Sequence, residues 1–514
     1  MGVTMTGSTR ALDARWFGLL SILVLVVVAV ITRAAAFGNP VYSGDDQVYL
    51  VIGQSMLHGD LPYVDVWDRK PLGLFIIYAG ISLLGGLGVV QSQIVAGGFA
   101  VATAFVIMRI STRFSGPSGA LMAGVAYLLA LPMFAGASAN APIFYDLPVA
   151  LAALLIVRTF EDDRRSMWGN AAAATALAGI ALTIKQTVFV EASFFGLALL
   201  WLARSRGATL PNLAMLAFAM LFAGLLPTGL IALGYYINGH FEAYWYSNFL
   251  SVFRKGPDAG LSQIAGSFYL SFFMSPLAAF AWMGFRDRSK AGPANREMDT
   301  FLIGWLVAAF IGVVIIPRFY DHYGIPLLLP LCTSASTLFD RKPRGLPFAL
   351  SFAIFVIGQG SILRFAETAR AKKGVDVASS FIDAELRAHG GCLYVADGPS
   401  ILYLTTHACR LTKFVFPDHL AIPSEATGIG TDSVAEIRQI LDHRPSVIVV
   451  RGRPVMARNL ATWAVLKARL HMDYCLSRSY YFPVDYRNQR INIWTRRTRP
   501  SCYVPTDPPP PPRD

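Results

Sequence analysis

The chain has 514 residues, of which 54% are hydrophobic and 15% are Asp, Glu, Lys or Arg, and its mean hydropathy is +0.48. A soluble domain carries roughly 25% charged residues, so this composition excludes an ordinary soluble protein and fits a polytopic α-helical membrane protein. The formal net charge of +12 does not imply a nucleic-acid partner. No soluble stretch interleaves basic with aromatic residues, and Lys and Arg instead collect in short loops between apolar runs.

The first apolar run lies within "ALDARWFGLLSILVLVVVAVITRAAAFG". Its basic start and Ala-rich end have the layout of a signal peptide. The stretch from Trp16 to Phe37 is broken only by Arg33 and is long enough to span a hydrocarbon core of about 30 Å, so it is read as a retained first transmembrane helix. The loops that follow are of two kinds. "MRISTRFSG" (108–116), "TFEDDRRSMWG" (159–169), "LARSRGATLPN" (202–212), "FRDRSKAGPANRE" (285–297) and "FDRKPRG" (339–345) are short and basic. Residues 38–70, "SANAPIFYD" (138–146), 238–262 and "IPRFYDHYG" (316–324) are acidic, aromatic or glycine-rich. The positive-inside rule assigns the first kind to the cytoplasm and the second to the outside, and the two alternate. "KPLGLFIIYAGISLLGG" (70–86) would break the alternation, so it is read as a juxtamembrane or re-entrant element before a crossing at 90–108. The segments on either side of Lys185, at 171–184 and 188–203, are read as two crossings. The count is about eleven transmembrane helices.

Beyond the last crossing, at 347–365, the chain becomes mixed α/β. "CLYVAD" (392–397) and "PSVIVVRG" (445–452) read as buried strands, and "SVAEIRQILDHR" (433–444) has helical spacing. The expected division is a membrane module over 1–366, whose first outer loop (38–70) carries juxtamembrane helices, a small soluble α/β domain over 367–500, and a Pro-rich tail over 501–514. The soluble domain follows an outward crossing and so belongs outside the cytoplasm. Cys392, Cys409, Cys475 and Cys502 all fall beyond that crossing, as expected for an oxidising compartment. Cys392–Cys409 is the preferred disulfide, although four cysteines allow three pairings.

No P-loop, dinucleotide fingerprint, internal repeat or metal-ligand spacing occurs, and no cofactor is called for. The polar groups assigned to the outer side stand out instead. They are Asp45, Asp46, Asp60, Asp65, Asp68, Arg69 and Lys70 in the first outer loop, Asn140 and Asp146 in the second, Lys185 at the end of an apolar helix, and Arg318, Asp321, His322 and Tyr323 in "PRFYDHYGIP". Each has a structural reading too. Ser43 or Asp45 suits a helix cap with acid in the first turn, Asp60, Asp65 and Asp68 suit a solvated loop, and Asp146 suits a cap. Lys185 suits a snorkelling lysine, and Arg318 with His322 suits an interfacial belt. Read together, they suit sugar transfer from a polyprenyl phosphate at one outer cavity. A carboxylate takes the proton of the acceptor hydroxyl, and cations hold the charge of the departing phosphate. An ionised side chain at membrane depth costs roughly 2.5–3.5 kcal/mol, which favours a functional role.

"DDQVYLVIGQSMLHGDLPYVDVWDRKPLGLFIIYA" (45–79) resembles the first outer loop of the GT-C superfamily of membrane glycosyltransferases, in the branch of dolichyl-phosphate-mannose mannosyltransferase-like proteins, lipid A aminoarabinose transferase and rhizobial galacturonosyltransferases. "GIALTIKQT" (179–187) and "RFYDHYGIPLLLP" (318–330) resemble later segments of that group in the same order. The resemblance implies a GT-C type fold in a bacterial inner membrane, with the site and C-terminal domain facing the periplasm. It also implies an inverting transferase that uses a polyprenyl-phosphate-linked sugar donor, with a glycan, lipid or protein hydroxyl as acceptor. By the resemblance Asp45 matches the catalytic acid and Asp46 its acidic neighbour, while Lys70, Lys185, Arg318, His322 and Tyr323 match donor-phosphate or cavity positions. Tyr49, Arg69 and Asp146 join the expected substrate-binding set. Two departures stand in the sequence: Leu72 replaces the second proline of Lys-Pro-Pro, and Pro142 occupies a position where some members carry Glu. The competing functions are a lipid-linked sugar flippase or carrier, which needs polar residues through the helices, and a non-catalytic anchor for the C-terminal domain, which tolerates loss of Asp45, Lys185 and Arg318.

Overall fold

The computed structural model describes residues 7–161, 164–256, 260–290, 296–315, 318–341, 343, 345–485 and 487–497. Cys502 and the Pro-rich tail lie outside the described residues. Among these, eight helices are long and apolar enough to cross a membrane: Phe17–Ala36, Val89–Ser111, Pro117–Phe134, Ala141–Phe160, Gln186–Ser205, Leu210–Ile237, Gln263–Ser289 and Arg296–Val314. The other three expected crossings also coincide with helices, at Arg164–Leu182, Ile325–Phe339 and Gly345–Gly358. These are shorter, so the count of eleven is not reached by length and apolarity alone. The segment expected to lie beside the membrane forms the 11-residue helix Leu72–Ser82. At 1.5 Å per residue such a helix is too short to span about 30 Å.

The chain divides into two compact units. One comprises Met1–Ala35, Gln93–Gly229 and Gln263–Arg364, and the other Ala36–Ser92, Leu230–Ser262 and Phe365–Asp514. Packing thus groups the chain differently from composition, because the first outer loop clusters with the C-terminal residues. In the first unit, small residues let helices approach closely. A Cβ on Gly179 would lie 2.1 Å from the Gly224 carbonyl oxygen, and one on Gly119 would lie 2.4 Å from that of Ser336. Packing of this kind, rather than a hydrophobic drive between helices, holds membrane bundles together. The one charge in the first crossing, Arg33, has a structural role. Arg33 is buried and donates to the carbonyls of Gly136 and Ser138 at 2.6 and 2.9 Å, so it fastens the helix end to the turn at Ala135. The basic loops are similarly tied: Arg288 donates to Asp299 at 2.6 Å, and Asp340 accepts from the Gly116 amide and the Ser118 hydroxyl.

The second unit contains a four-stranded sheet of β1 (Leu393–Asp397), β2 (Val447–Arg451), β3 (Tyr474–Val484) and β4 (Arg487–Arg496), in the order β1-β2-β4-β3. β1 and β2 are parallel, and the remaining pairs are antiparallel. The expected strands and the helix Ser433–Asp442 fall where the sequence places them. Asp432 caps that helix by accepting from the Val434 and Ala435 amides. The hydrophobic core joins Tyr394, Ile448, Val450, Ile437, Ile440 and Leu466 to Trp67 from the first outer loop. The Trp67 amide donates to the Lys413 carbonyl at 2.8 Å. Arg410 binds both Asp60 and the Ser55 hydroxyl, and the Gln47 side chain accepts from the Ile401 amide at 3.3 Å. A disulfide joins Cys392 to Cys409 beside this strap.

Candidate functional site

The helix Gly44–Leu57 begins after Ser43, whose backbone is extended but whose side chain makes no capping hydrogen bond. Asp45 and Asp46 occupy its first turn, where their charge suits the helix dipole. Asp45 also meets Lys70: its Oδ2 lies 3.9 Å from Lys70 Nζ, and that ammonium stands 5.5 Å from the centre of the Tyr49 ring. Tyr49 is fully buried, and burial followed by the nearby Asp45 carboxylate pushes its phenol well above the usual range. It therefore stays protonated and presents Lys70 with a neutral π-face.

Two neighbours hold Lys70 in place through its backbone. Its amide donates to Asp68 Oδ1 at 2.9 Å, and its carbonyl accepts from the Tyr63 hydroxyl at 2.8 Å. Asp68 is 4% exposed, so it is not the solvated loop acid expected from its acidic surroundings. Burial raises its pKa, against the pull of Lys70 and Arg69. Its second oxygen lies 3.9 Å from Nε2 of His419, a ring packed edge-on against Trp67 at 4.7 Å. Burial, with Arg69, Lys255 and Lys70 nearby, holds His419 well below its ordinary pKa, so the imidazole is neutral. Asp60 is likewise paired, with Arg410, and of the three loop acids only Asp65 is exposed. Arg69 binds Glu425, whose other carboxylate oxygen binds Lys255. Thus Asp45, Tyr49, Arg69 and Lys70 are brought into one network, together with Asp68, His419, Lys255 and Glu425, three of which lie far away in sequence. No motif marks Glu425 or Lys255 in advance.

The first unit holds a second polar group. Lys185 breaks the helical run between Arg164–Leu182 and Phe189–Ser205 with an extended backbone, and it is 7% exposed. Its ammonium stands 5.0 Å from the centre of the Tyr323 ring. Lys185, Tyr323, His322, Tyr145 and Glu191 line one pocket. His322 stacks on Tyr320 and meets Tyr323 edge-on. Arg318 is half-buried in the turn before the short helix Asp321–Gly324. Glu191 is buried and accepts from the Trp305 indole at 2.8 Å. Sequence reasoning passed it over, although a lone acid in an apolar crossing is the type of residue whose cost signals a role.

Asp146 does not cap a helix. It lies inside Ala141–Glu161, fully buried, with Oδ2 accepting from the Tyr127 hydroxyl at 3.1 Å. Asn140 takes the helix-start position and accepts from the Ala141 amide at 2.7 Å. The neighbouring Pro142 and Tyr145, rather than Asp146, line the Lys185 pocket.

Helices in this order, followed by a small C-terminal sheet, form a fold shared with solved structures of other proteins. No family model and no curated protein sequence matches the chain. Solved structures do. ArnT from Cupriavidus metallidurans in the apo state superposes with a TM-score of 0.60 at 16% identity, over 93% of this chain and 98% of that one. The same protein bound to undecaprenyl phosphate gives 0.57 at 16% identity, over 92% and 97%. The Archaeoglobus fulgidus oligosaccharyltransferase in the apo form gives 0.56 at 12% identity, over 85% of this chain and 69% of that one.

Proposed function

We propose that this protein is a glycosyltransferase of a bacterial inner membrane that moves a sugar from a polyprenyl-phosphate donor to a hydroxyl acceptor on the periplasmic face. The observation that carries the reading is the Asp45–Lys70 pair, set directly after the first crossing of a chain with the GT-C fold. Solved relatives of that fold are described bound to undecaprenyl phosphate and, for the archaeal oligosaccharyltransferase, to dolichol-phosphate.

In this reading Asp45 is the base. The acceptor oxygen attacks the anomeric carbon from the face opposite the phosphate, the bond from that carbon to the phosphate oxygen breaks, and Asp45 takes the hydroxyl proton. The configuration inverts. Lys70 stands opposite the Asp45 carboxylate at 3.9 Å, and Asp46 adds an acidic acceptor contact. The departing phosphate carries its own charge and needs cations rather than a general acid. Lys185 and Arg318 are assigned to it, with His322 and Tyr323 as hydrogen-bonding partners. Arg69 acts through the Glu425 pair to fix the backbone that carries Lys70. Asp146, buried on Tyr127, is assigned to supporting the second outer loop. Glycan, lipid and protein hydroxyls are all compatible acceptors.

The test is glycolipid and glycoprotein mass spectrometry of cells with and without the gene. A species that loses the mass of one sugar on deletion, with its unglycosylated precursor accumulating, is the expected result. An unchanged inventory refutes the transferase.

A further inference from the structure

The segment Phe241–Arg254 is a continuous helical stretch of mixed pitch: α-helical over Phe241–Trp245, π-helical over Tyr246–Leu250 and α-helical over Ser251–Arg254. Its inner face is built. Tyr244 is buried and stacks on Tyr235 with ring centres 5.1 Å apart, and it meets Tyr63 edge-on at 6.0 Å. Asn248 is buried, its Oδ1 3.5 Å from the Tyr63 hydroxyl, and Ser247 and Ser251 are buried beside it. The outer face is apolar: Phe241, Trp245, Leu250 and Phe253 are between 37% and 87% exposed. A regular α-helix would return to the outer face near position 248 or 249. The wider π turn holds Asn248 inward and moves the outward position to Leu250, so the two faces stay segregated.

A row of exposed aromatic and aliphatic side chains is costly against water, and its occupant is indicated by chain connectivity. The segment lies between the candidate membrane spans Leu210–Ile237 and Gln263–Ser289. Only 11% of the first of these is buried against protein, so its apolar surface faces lipid, and Tyr236 and Ile237 at its end are 70% and 72% exposed. The exposed row begins a few residues later and continues that lipid-facing surface. Glu242 and Arg254 border it with charge. An amphipathic helix with Trp and Phe on one face and charge at its margins fits the boundary between headgroups and acyl chains.

We propose that Phe241–Arg254 lies in the plane of the bilayer surface, with Phe241, Trp245, Leu250 and Phe253 in the acyl boundary, and serves as a lipid anchor for the loop its inner face carries. That loop includes Tyr63, whose hydroxyl binds the Lys70 carbonyl. Lys255, directly after the helix, binds Glu425. The membrane surface thereby sets the depth at which the Lys70 segment is held. The inference stands without the proposed activity.

The test places a nitroxide label at Phe253→Cys, and independently at Leu250→Cys, in the full chain with Cys332→Ala. The protein is reconstituted in vesicles of phosphatidylethanolamine and phosphatidylglycerol. Gln439→Cys, exposed on the helix Ser433–Asp442, is the aqueous reference. Labels at 250 and 253 should collide with oxygen several-fold more, and with a water-soluble nickel chelate several-fold less, than the label at 439. Free access of the nickel chelate overturns the proposal. So does exclusion of both reagents, which would mean that protein, such as a second copy of the chain, covers this face.

Discussion

Trp67→Ala removes the side chain through which, among the described residues, the first outer loop enters the core of the C-terminal sheet. Trp67 is 2% exposed, and its ring meets Phe414 at 5.4 Å and His419 at 4.7 Å. Large-to-small substitution of a fully buried aromatic costs about 3–5 kcal/mol, from lost transfer energy plus the cavity left behind. For a unit of this size each kcal/mol lowers Tm by roughly 2–4 °C, so a loss of about 4 kcal/mol predicts a fall of roughly 8–16 °C. The assay is thermal unfolding of the full chain in nanodiscs, followed by protection of the 394–494 core from proteolysis. The backbone bond from Trp67 to Lys413 does not require the side chain, so Trp67→Phe should recover much of the loss. A Trp67→Ala shift under about 2 °C would refute the claim that loop and sheet share one core.

The remaining expectations concern charge, pH and redox state. Glu425→Gln removes the anion that both Arg69 and Lys255 bind and should cost about 3 kcal/mol, as breaking a buried ion pair does; thermal unfolding measures it, and Glu425→Asp should restore part. Burial, aided by Asp397, Asp485 and Asp45 and opposed by Arg451, pushes the Asp418 carboxyl up to about 6. A raised carboxyl favours its neutral form in the folded state, so the stability it contributes is full below pH 4 or so and is lost as pH rises through about 6. Unfolding followed from about pH 4 to 6.5 should show that decline, and Asp418→Asn should flatten it. The paired Cys392→Ser and Cys409→Ser change opens a loop of sequence separation 17 and should cost about 3 kcal/mol on loop entropy, again read by thermal unfolding. Lys185→Gln should weaken binding of undecaprenyl phosphate to the purified protein about 10- to 100-fold, the range for losing a charged hydrogen bond.

Much of the architecture was legible because membrane spans and buried strands carry strong periodic signals. The break at Lys185, the short helix before residue 89 and the strands at 393 and 447 all fall where apolar runs end at Gly, Pro or charge. The hairpin of β3 and β4 was not legible. β3 is an edge strand with Pro483 near its end and exposed polar positions along its length, so its alternation is weak. Candidate residues were found by charge, but charge alone cannot tell a solvated acid from a paired one. Asp60 and Asp68 look alike in the sequence with Asp65, yet their partners Arg410 and His419 lie more than three hundred residues away. Asp146 resembles a cap only until its hydroxyl partner on another helix is known. Trp67 is the largest omission, since nothing local marks a tryptophan in an acidic loop as core of a distant sheet.

The role of Asp45 as the base that takes the acceptor proton is open to a complementation measurement: wild-type and Asp45→Asn genes are returned to cells that lack the protein, and their glycolipids and glycoproteins are weighed. With Asp45 as the base, the sugar lost on deletion returns with the wild type and not with Asp45→Asn, although both proteins reach the membrane in equal amounts with equal thermal stability. Full return of the sugar with Asp45→Asn would contradict that role.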